Sequence, residues 1–200
     1  MLNPARIAVL VSGGGTNLQA LLDAQDRGEL QSGKISLVVS DHADAYALTR
    51  AANHGVKAVT IAKRGEAFET ELLALLAEEG IELVILAGFL QILGQNFIKA
   101  YEDRIINVHP SLIPSFCGKG FYGLKVHQAA LDKGVKVTGA TVHLVNEIPD
   151  GGRILFQKAV EIEDGDTPEI LQKRVMEQAE WILLPRAAEY MSRQIRKEGN

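Results

Sequence analysis

The chain has 200 residues, of which 46% are hydrophobic and 23% are charged, as in an average soluble globular protein. The formal net charge is −4 with both signs mixed along the chain, which argues against a nucleic-acid partner. A single cysteine excludes an internal disulfide and fits a reducing compartment, and no apolar run approaches the roughly 20 residues of a membrane span. We therefore expect a cytoplasmic protein with no membrane partner.

Apolar, β-prone runs alternate with segments of helical periodicity in the first half of the chain. Strands are predicted over residues 6–11, 35–41, 57–62 and 82–88. Helices are predicted between them, over residues 18–28, 43–55 and 66–80. This alternation predicts a parallel sheet with right-handed crossovers.

The pattern changes in the second half. A short strand over 105–108 is followed by a long loop over 110–123 and a helix over 124–134. Two strands joined by a short turn, 136–146 and 153–162, predict an antiparallel pair. A long helix begins near Thr167, and Pro185 should kink or divide it. We predict an α/β fold with a single Rossmann-like open sheet, mostly parallel with an antiparallel C-terminal strand pair, and helices on both faces.

A glycine-rich loop, SGGGTN at residues 12–17, joins the first predicted strand to the first helix. Backbone N–H groups at a helix N-terminus suit an anion. Leu18 replaces the third glycine of a dinucleotide fingerprint, and no Gly-Lys-Ser/Thr follows as in a Walker A loop. A single phosphate fits this loop, with Thr16 and Asn17 adding side-chain donors. A tight turn that caps the helix is the alternative.

Asn107 and His109 stand two residues apart at a strand end, so extended backbone places both side chains on one side. In an open α/β sheet, ligands collect at the carboxyl ends of the strands. An amide and an imidazole that converge there can stabilise an oxyanion during acyl transfer, and the imidazole can move protons. Asp150, in the predicted hairpin turn, is a candidate partner carboxylate. A structural histidine is the alternative for His109 taken alone.

Other reactive side chains give weaker signals. Cys117 has neighbours, Phe116 and Gly118, that supply no charge to lower the pKa of its thiol, which argues against a nucleophile. The remaining histidines lack metal-ligand spacing, so no metal site is expected; they are His42, His54, His127 and His143. His143 lies in an alternating strand and is expected to pack or to support other side chains.

Several stretches together resemble one family. SGGGTNLQALL, VILAGFLQIL, INVHPSLIP and GATVHLVNE are similar to the folate-dependent phosphoribosylglycinamide formyltransferases, also called glycinamide ribonucleotide transformylases. The resemblance runs from Arg6 to about Ala187. The NVHPSLIP block is shared with methionyl-tRNA formyltransferase and formyltetrahydrofolate deformylase, whereas the glycine loop is the narrower mark.

The resemblance implies transfer of the formyl group of 10-formyltetrahydrofolate to the amine of 5-phosphoribosylglycinamide in de novo purine biosynthesis, without a metal. It implies catalytic roles for Asn107, His109 and Asp150. The implied ligands of the substrate phosphate are Gly15, Thr16 and Asn17, and Glu180 is implied at the glycinamide end. The implied folate-binding residues are Arg64, Leu90, Gln91, Ile92, Leu93 and Asn107. Arg64 stands in for a family arginine that falls on Gly65.

The resemblance also implies one formyltransferase domain over residues 1–200, acting as a monomer or homodimer on small-molecule substrates. Residues 1–104 would form a phosphate-binding half, and residues 105–200 a catalytic and folate-binding half. One alternative is a formyltetrahydrofolate deformylase, a hydrolase that would share Asn107, His109 and Asp150. The other alternative is a non-catalytic nucleotide-binding module.

Overall fold

The computed structural model describes residues 3–198 and contains seven strands that form one sheet. The strands are β1 (Ala5–Val11), β2 (Gly33–Ser40), β3 (Lys57–Thr60), β4 (Leu83–Leu86), β5 (Ile105–His109), β6 (Val137–Leu144) and β7 (Ile154–Glu161). Their order across the sheet is β3-β2-β1-β4-β5-β6-β7.

The helices follow the strands in chain order. They are α1 (Thr16–Asp26), α2 (Tyr46–Asn53), α3 (Glu66–Glu78), α4 (Gln95–Ala100), α5 (Leu124–Lys133), α6 (Pro168–Val175) and α7 (Trp181–Glu198). A five-residue π-helical segment, Met176–Glu180, joins α6 to α7.

The first five strands pair in parallel, while β6 is antiparallel to β5 and β7 is antiparallel to β6. The predicted Rossmann-like sheet, mostly parallel with an antiparallel C-terminal pair, is confirmed. Because β6 runs antiparallel beside β5, residues near position 143 lie opposite the end of β5.

Side chains of β1 alternate between two buried layers. Ile7, Val9 and Val11 pack with residues of α1, α2, α6 and α7, whereas Ala8 and Leu10 pack with residues of α3 and α4. Both faces of the central strands are therefore covered by helices, which explains why these strands read as continuous apolar runs. Each fully buried leucine or isoleucine contributes roughly 1.5–3 kcal/mol to this packing.

Two helical features differ from the sequence prediction. No helix was predicted between residues 93 and 105, yet α4 occupies six residues there and buries Phe97 and Ile98. A helix this short shows too few turns for its periodicity to stand out. The C-terminal helix does divide, but at the π-helical segment rather than at Pro185, which lies inside α7. The missing N–H of Pro185 leaves only the Trp181 carbonyl without its helical partner.

Candidate active site

The carboxyl ends of β1, β4 and β5 are neighbours in the sheet, and a cavity of about 640 Å³ opens there. The start of α1, the segment after β4 and the end of β5 all contribute to its wall. So do the loop before α5, the hairpin turn between β6 and β7, and the π-helical segment. The polar side chains in the wall include Thr16, Asn17, Asn107, His109, His143, Asp150 and Glu180. The fold therefore brings together candidates that lie far apart in the chain.

Asn107 and His109 point from the end of β5 toward Asp150. The Nδ1 atom of His109 lies 3.5 Å from Asp150 Oδ2, and Asn107 Nδ2 lies 3.5 Å from Asp150 Oδ1. Asp150 adopts a left-handed backbone conformation, with φ of 56°, that aspartate tolerates better than most residues. This turn places the carboxylate beside both β5 side chains, as the sequence predicted for the three residues as a group.

Two acceptors flank the imidazole ring of His109. Its Nε2 atom lies 2.9 Å from the carbonyl oxygen of Phe116, which can only accept, so Nε2 carries a proton. Its Nδ1 atom faces the Asp150 carboxylate. The His109 side chain is nearly buried, at 6% exposure.

His143 belongs to the same cluster. The sequence analysis expected it to pack or to support other side chains, but did not place it beside Asn107 and Asp150. It stands opposite Asn107 in the antiparallel pairing of β5 and β6. Its Nδ1 atom donates to the Leu144 carbonyl at 2.7 Å, and its Nε2 atom lies 3.2 Å from Asn107 Nδ2 and 3.5 Å from Asp150 Oδ1. A neutral ring accepts from Asn107, and a protonated ring donates to Asp150. Only the cross-strand register reveals this neighbour.

Asp150 is held as an anion. Burial raises the pKa of its carboxyl, but hydrogen bonds from His143 and from the Gly118 N–H, together with the charges of His109 and His143, outweigh burial. The pKa therefore lies below its ordinary value. The Gly118 N–H donates to Asp150 Oδ2 at 2.8 Å, so the loop before α5 contacts the carboxylate directly. Phe116 and Gly118 thus make this loop part of the site.

The glycine loop is shaped by its contact with α2. Gly15 has a φ of 72°, and a Cβ atom there would lie 2.6 Å from the Cβ atom of Ala47. Any other residue would meet both backbone strain and a steric clash. Thr16 begins α1, and its hydroxyl lies 3.7 Å from the sulfur of Met176. The loop thus lies against the π-helical segment on one side and α2 on the other.

Glu180 is buried at the inner wall of the cavity. The amide nitrogen of Asn17 donates to its Oε2 atom at 2.6 Å. Burial raises the pKa of Glu180 to about 7, against the opposing effect of this one hydrogen bond. The Asn17 amide predicted to meet the phosphate is therefore also a partner of the carboxyl predicted to meet the glycinamide end.

The segment after β4 forms an apolar wall. The Leu90 and Ile92 side chains are 63% and 73% exposed at the mouth of the cavity, while Leu93 is buried. Gln91 donates to Asp41 Oδ2 at 3.0 Å and to the Lys63 carbonyl at 3.2 Å, which holds this segment in place. Exposed aliphatic side chains around a cleft suit a flat apolar ligand.

Comparison with known proteins identifies the family. A profile of the family described as formyl transferase matches residues 5–187. The chain belongs to the formyl transferase family. It is 39% identical over 176 residues to a chloroplastic phosphoribosylglycinamide formyltransferase of Arabidopsis thaliana, covering 86% of this chain. The chain spans 60% of the length of that relative.

Solved structures of the family agree with this assignment. Glycinamide ribonucleotide transformylase 1 of Symbiobacterium toebii is 39% identical, with a TM-score of 0.88 over 96% of this chain and 89% of that one. A formyltetrahydrofolate deformylase of Pseudomonas syringae pv. tomato is 27% identical, with a TM-score of 0.85 over 96% of this chain and 62% of that one. Family membership implies a folate co-substrate.

Two candidates, Gly15 and Arg64, are not part of the cavity wall. Gly15 directly precedes Thr16, which does line the cavity, whereas Arg64 lies apart from it. Arg64 lies in the exposed segment between β3 and α3, although the adjacent Lys63 carbonyl contacts Gln91. Arg64 was inferred from a family arginine that falls on Gly65, and one position along a turn redirects a side chain. Leu90, Gln91, Ile92 and Leu93 do line the cavity.

Two further observations bear on the chemistry of this formyl transferase fold. Burial and the neighbouring Asp150 raise the pKa of the Cys117 thiol, which disfavours a thiolate nucleophile there. Among residues 3–198, no three His, Cys, Asp or Glu side chains are grouped to hold a metal ion. None of the helices within the same residues has the length and apolarity needed to cross a membrane.

Proposed function

We propose that the chain transfers the formyl group of 10-formyltetrahydrofolate to the amine of 5-phosphoribosylglycinamide, a step of de novo purine biosynthesis. One observation carries this proposal: a single cavity runs from Thr16 and Asn17 at the glycine loop to Asn107, His109 and Asp150. A phosphate held at the loop and a formyl group held at the cluster would therefore meet in one space. Similarity to a plant phosphoribosylglycinamide formyltransferase and to a glycinamide ribonucleotide transformylase of Symbiobacterium supports formyl transfer to this ribonucleotide.

In this proposal the phosphate lies at Gly15, Thr16 and Asn17, where backbone N–H groups begin α1. Glu180 is next to Asn17 and meets the glycinamide end of the substrate. The folate ring lies between the apolar segment 90–93 and the hairpin turn near Ile148, whose side chain is 64% exposed in the cavity wall. This arrangement directs the amine toward the formyl carbon at the cluster.

The reaction begins with direct attack of the substrate amine on the formyl carbon. The new C–N bond turns the formyl oxygen into an oxyanion, which the Asn107 amide and the His109 imidazolium stabilise. The formyl oxygen replaces the Phe116 carbonyl oxygen as the hydrogen-bond acceptor of His109 Nε2. Asp150 remains ionised beside Nδ1 and stabilises the positive charge of the ring.

The intermediate then collapses, and the bond between the formyl carbon and the folate nitrogen breaks. A proton passes from the attacking amine to the departing folate nitrogen through His109 or through a water molecule held by Asp150. The products are the formylated glycinamide and tetrahydrofolate. No covalent bond to the protein forms, in keeping with the raised pKa of the Cys117 thiol.

Both halves of the chain contribute to the proposed sites. Residues 1–104 supply the phosphate loop, and residues 105–200 supply Asn107, His109 and Asp150. The apolar wall at 90–93 lies in the first half, however, and Glu180 lies in the second half beside the loop. Neither half therefore holds a ligand alone, and side chains from both halves contact each ligand.

The deformylase is the second candidate, because the Pseudomonas structure of that name has the same fold at 27% identity. A hydrolase would use water in place of the amine and would release formate. Supplying 10-formyltetrahydrofolate with and without 5-phosphoribosylglycinamide separates the two reactions. We expect tetrahydrofolate to form only when the ribonucleotide is present, and equal rates in both mixtures would contradict the transferase.

A further inference from the structure

The glycine loop, residues 12–17, contains no lysine or arginine, although a phosphate monoester carries up to two negative charges. The cation that touches this loop comes from α2. Arg50 donates from Nε to the Gly14 carbonyl oxygen at 2.8 Å. The Arg50 side chain also lines a smaller cleft of about 280 Å³, whose wall includes Thr16.

Two successive loop carbonyls are held on α2. The Ala47 N–H donates to the Gly13 carbonyl at 3.1 Å, and Arg50 holds the Gly14 carbonyl. In a planar trans peptide the N–H points opposite to the C=O, so the N–H groups of Gly14 and Gly15 point away from α2. Within residues 3–198, neither of these N–H groups donates to a protein acceptor. Successive free N–H groups on one side of a turn form an anion-binding concavity.

Arg50 is itself held in a defined position. Its Nη1 atom donates to Gln19 Oε1 at 2.9 Å, and its guanidinium lies 4.9 Å from the centre of the Tyr46 ring. The hydrogen bond from the Ala47 N–H to the Gly13 carbonyl ties the loop to α2, and Gly15 packs closely against Ala47. The Arg50 guanidinium, held in this position on α2, therefore keeps the Gly14 carbonyl in one orientation.

We propose that Arg50 is a positioning residue for the phosphate of the substrate. By holding the Gly14 carbonyl on α2, Arg50 turns the Gly15 N–H toward the phosphate. Its positive charge also stabilises the bound anion from the α2 side of the loop. The proposal rests on the proposed function only in taking the substrate to be a phosphate monoester.

Kinetics with two substrates test this role in the full-length enzyme. We expect Arg50→Ala to lower kcat/KM for 5-phosphoribosylglycinamide by roughly 10- to 100-fold, mainly through KM, because a charged hydrogen bond is lost. The same variant should use the dephosphorylated substrate, glycinamide riboside, as well as the wild type does. An equal loss on both substrates would show a general structural role and overturn the proposal.

Arg27→Ala is the matched control. Arg27 lines the same small cleft, but its guanidinium pairs with Glu29, at 2.6 Å between Nε and Oε1. We expect this variant to retain the wild-type preference for the phosphorylated substrate. A loss as large as that of Arg50→Ala would mean that any cation in the cleft suffices, against a role for the Gly14 contact.

Calorimetric titration with ribose 5-phosphate separates this inference from the proposed function. We expect wild type and Arg27→Ala to bind it alike, and Arg50→Ala to bind it roughly tenfold or more weakly. Wild-type binding by Arg50→Ala, or no binding by the wild type, would overturn the inference. Arg50-dependent binding without formyl transfer would instead overturn the proposed function alone. Unchanged affinity for 10-formyltetrahydrofolate shows that the variant is folded.

Discussion

Asp150 and Glu180 line the same cavity, yet the pKa values of their carboxyls shift in opposite directions. Burial acts on both, but Asp150 is surrounded by His109, His143 and the Gly118 N–H, and its pKa falls below the ordinary value. Among residues 3–198, Asn17 is the one side-chain donor to Glu180, and burial raises the pKa of Glu180 to about 7. The number of donors, rather than depth alone, sets the charge of each acid.

Of these two acids, Asp150 stays ionised, whereas Glu180 titrates near neutrality. A carboxylate that stays ionised suits the stabilisation of an imidazolium, as proposed for Asp150 and His109. A carboxyl with a pKa of about 7 can exchange a proton at physiological pH. Two acids in different environments of one site commonly have pKa values that differ in this way. Substitutions at either acid, or at its donors, should therefore have different consequences.

The largest effect is expected from removing the groups that Asp150 holds. Asn107→Ala and His109→Ala should each lower kcat by at least about 10²- to 10³-fold, because each removes a donor to the oxyanion. Single-turnover kinetics with 10-formyltetrahydrofolate would measure the loss, and thermal unfolding would show that each variant is folded. Turnover close to wild type in either variant would exclude the proposed mechanism.

Glu180→Gln should change the pH dependence of stability. Because the pKa of Glu180 in the folded protein lies near 7, above its ordinary 4.5, the folded state binds this proton more tightly than the unfolded state. Its contribution to stability is complete below pH 4.5 and is lost as pH rises to about 7, by about 3 kcal/mol in total. Glutamine mimics the protonated acid, so the variant should escape this loss.

Denaturant unfolding of wild type and Glu180→Gln at pH 5 and pH 8 measures that difference. The stability of the variant relative to wild type should rise between the two pH values. Glu177→Gln, at an exposed acid on the same π-helical segment, is the control and should show no such rise. A constant difference between Glu180→Gln and wild type would contradict the raised pKa.

Asp150→Asn should have a smaller effect on rate and the opposite pH dependence. Loss of the charge beside His109 should lower kcat by roughly 10- to 100-fold, the usual value of a charged hydrogen bond. The stabilising contribution of the ionised Asp150 is present above its ordinary pKa of 3.8 and is lost as pH falls through its lower folded value. The stability deficit of the variant should therefore shrink in acid.

Rate assays and acid unfolding of Asp150→Asn test both statements. Asp164→Asn is a suitable control, since Asp164 is exposed in the turn before α6. If Asp150→Asn kept the wild-type rate, the carboxylate would have no part in stabilising the imidazolium. A stability deficit that grew in acid would contradict the direction of its pKa shift.

Much of the fold follows from local patterns. The four apolar runs of the first half became β1 to β4, and the helical periodicities became α1 to α3, because strand and helix formation depend on neighbouring residues. The segment that became α4 is too short for such a pattern, and the π-helical segment has no recognised sequence signal. The side-chain roles assigned to Asn107, His109 and Asp150 remain proposals that their proximity supports.

The sequence by itself determined that Asn107 and His109 share one side of β5, because alternate residues of a strand point the same way. The sequence also places glycines in the loop after β1, and the absence of a side chain at Gly15 lets this loop approach α2. Only the tertiary structure decided that His143 stands opposite Asn107 and that Asn17 meets Glu180 across 163 residues. Such pairs depend on strand register and helix packing, which arise when distant segments bury their apolar faces together.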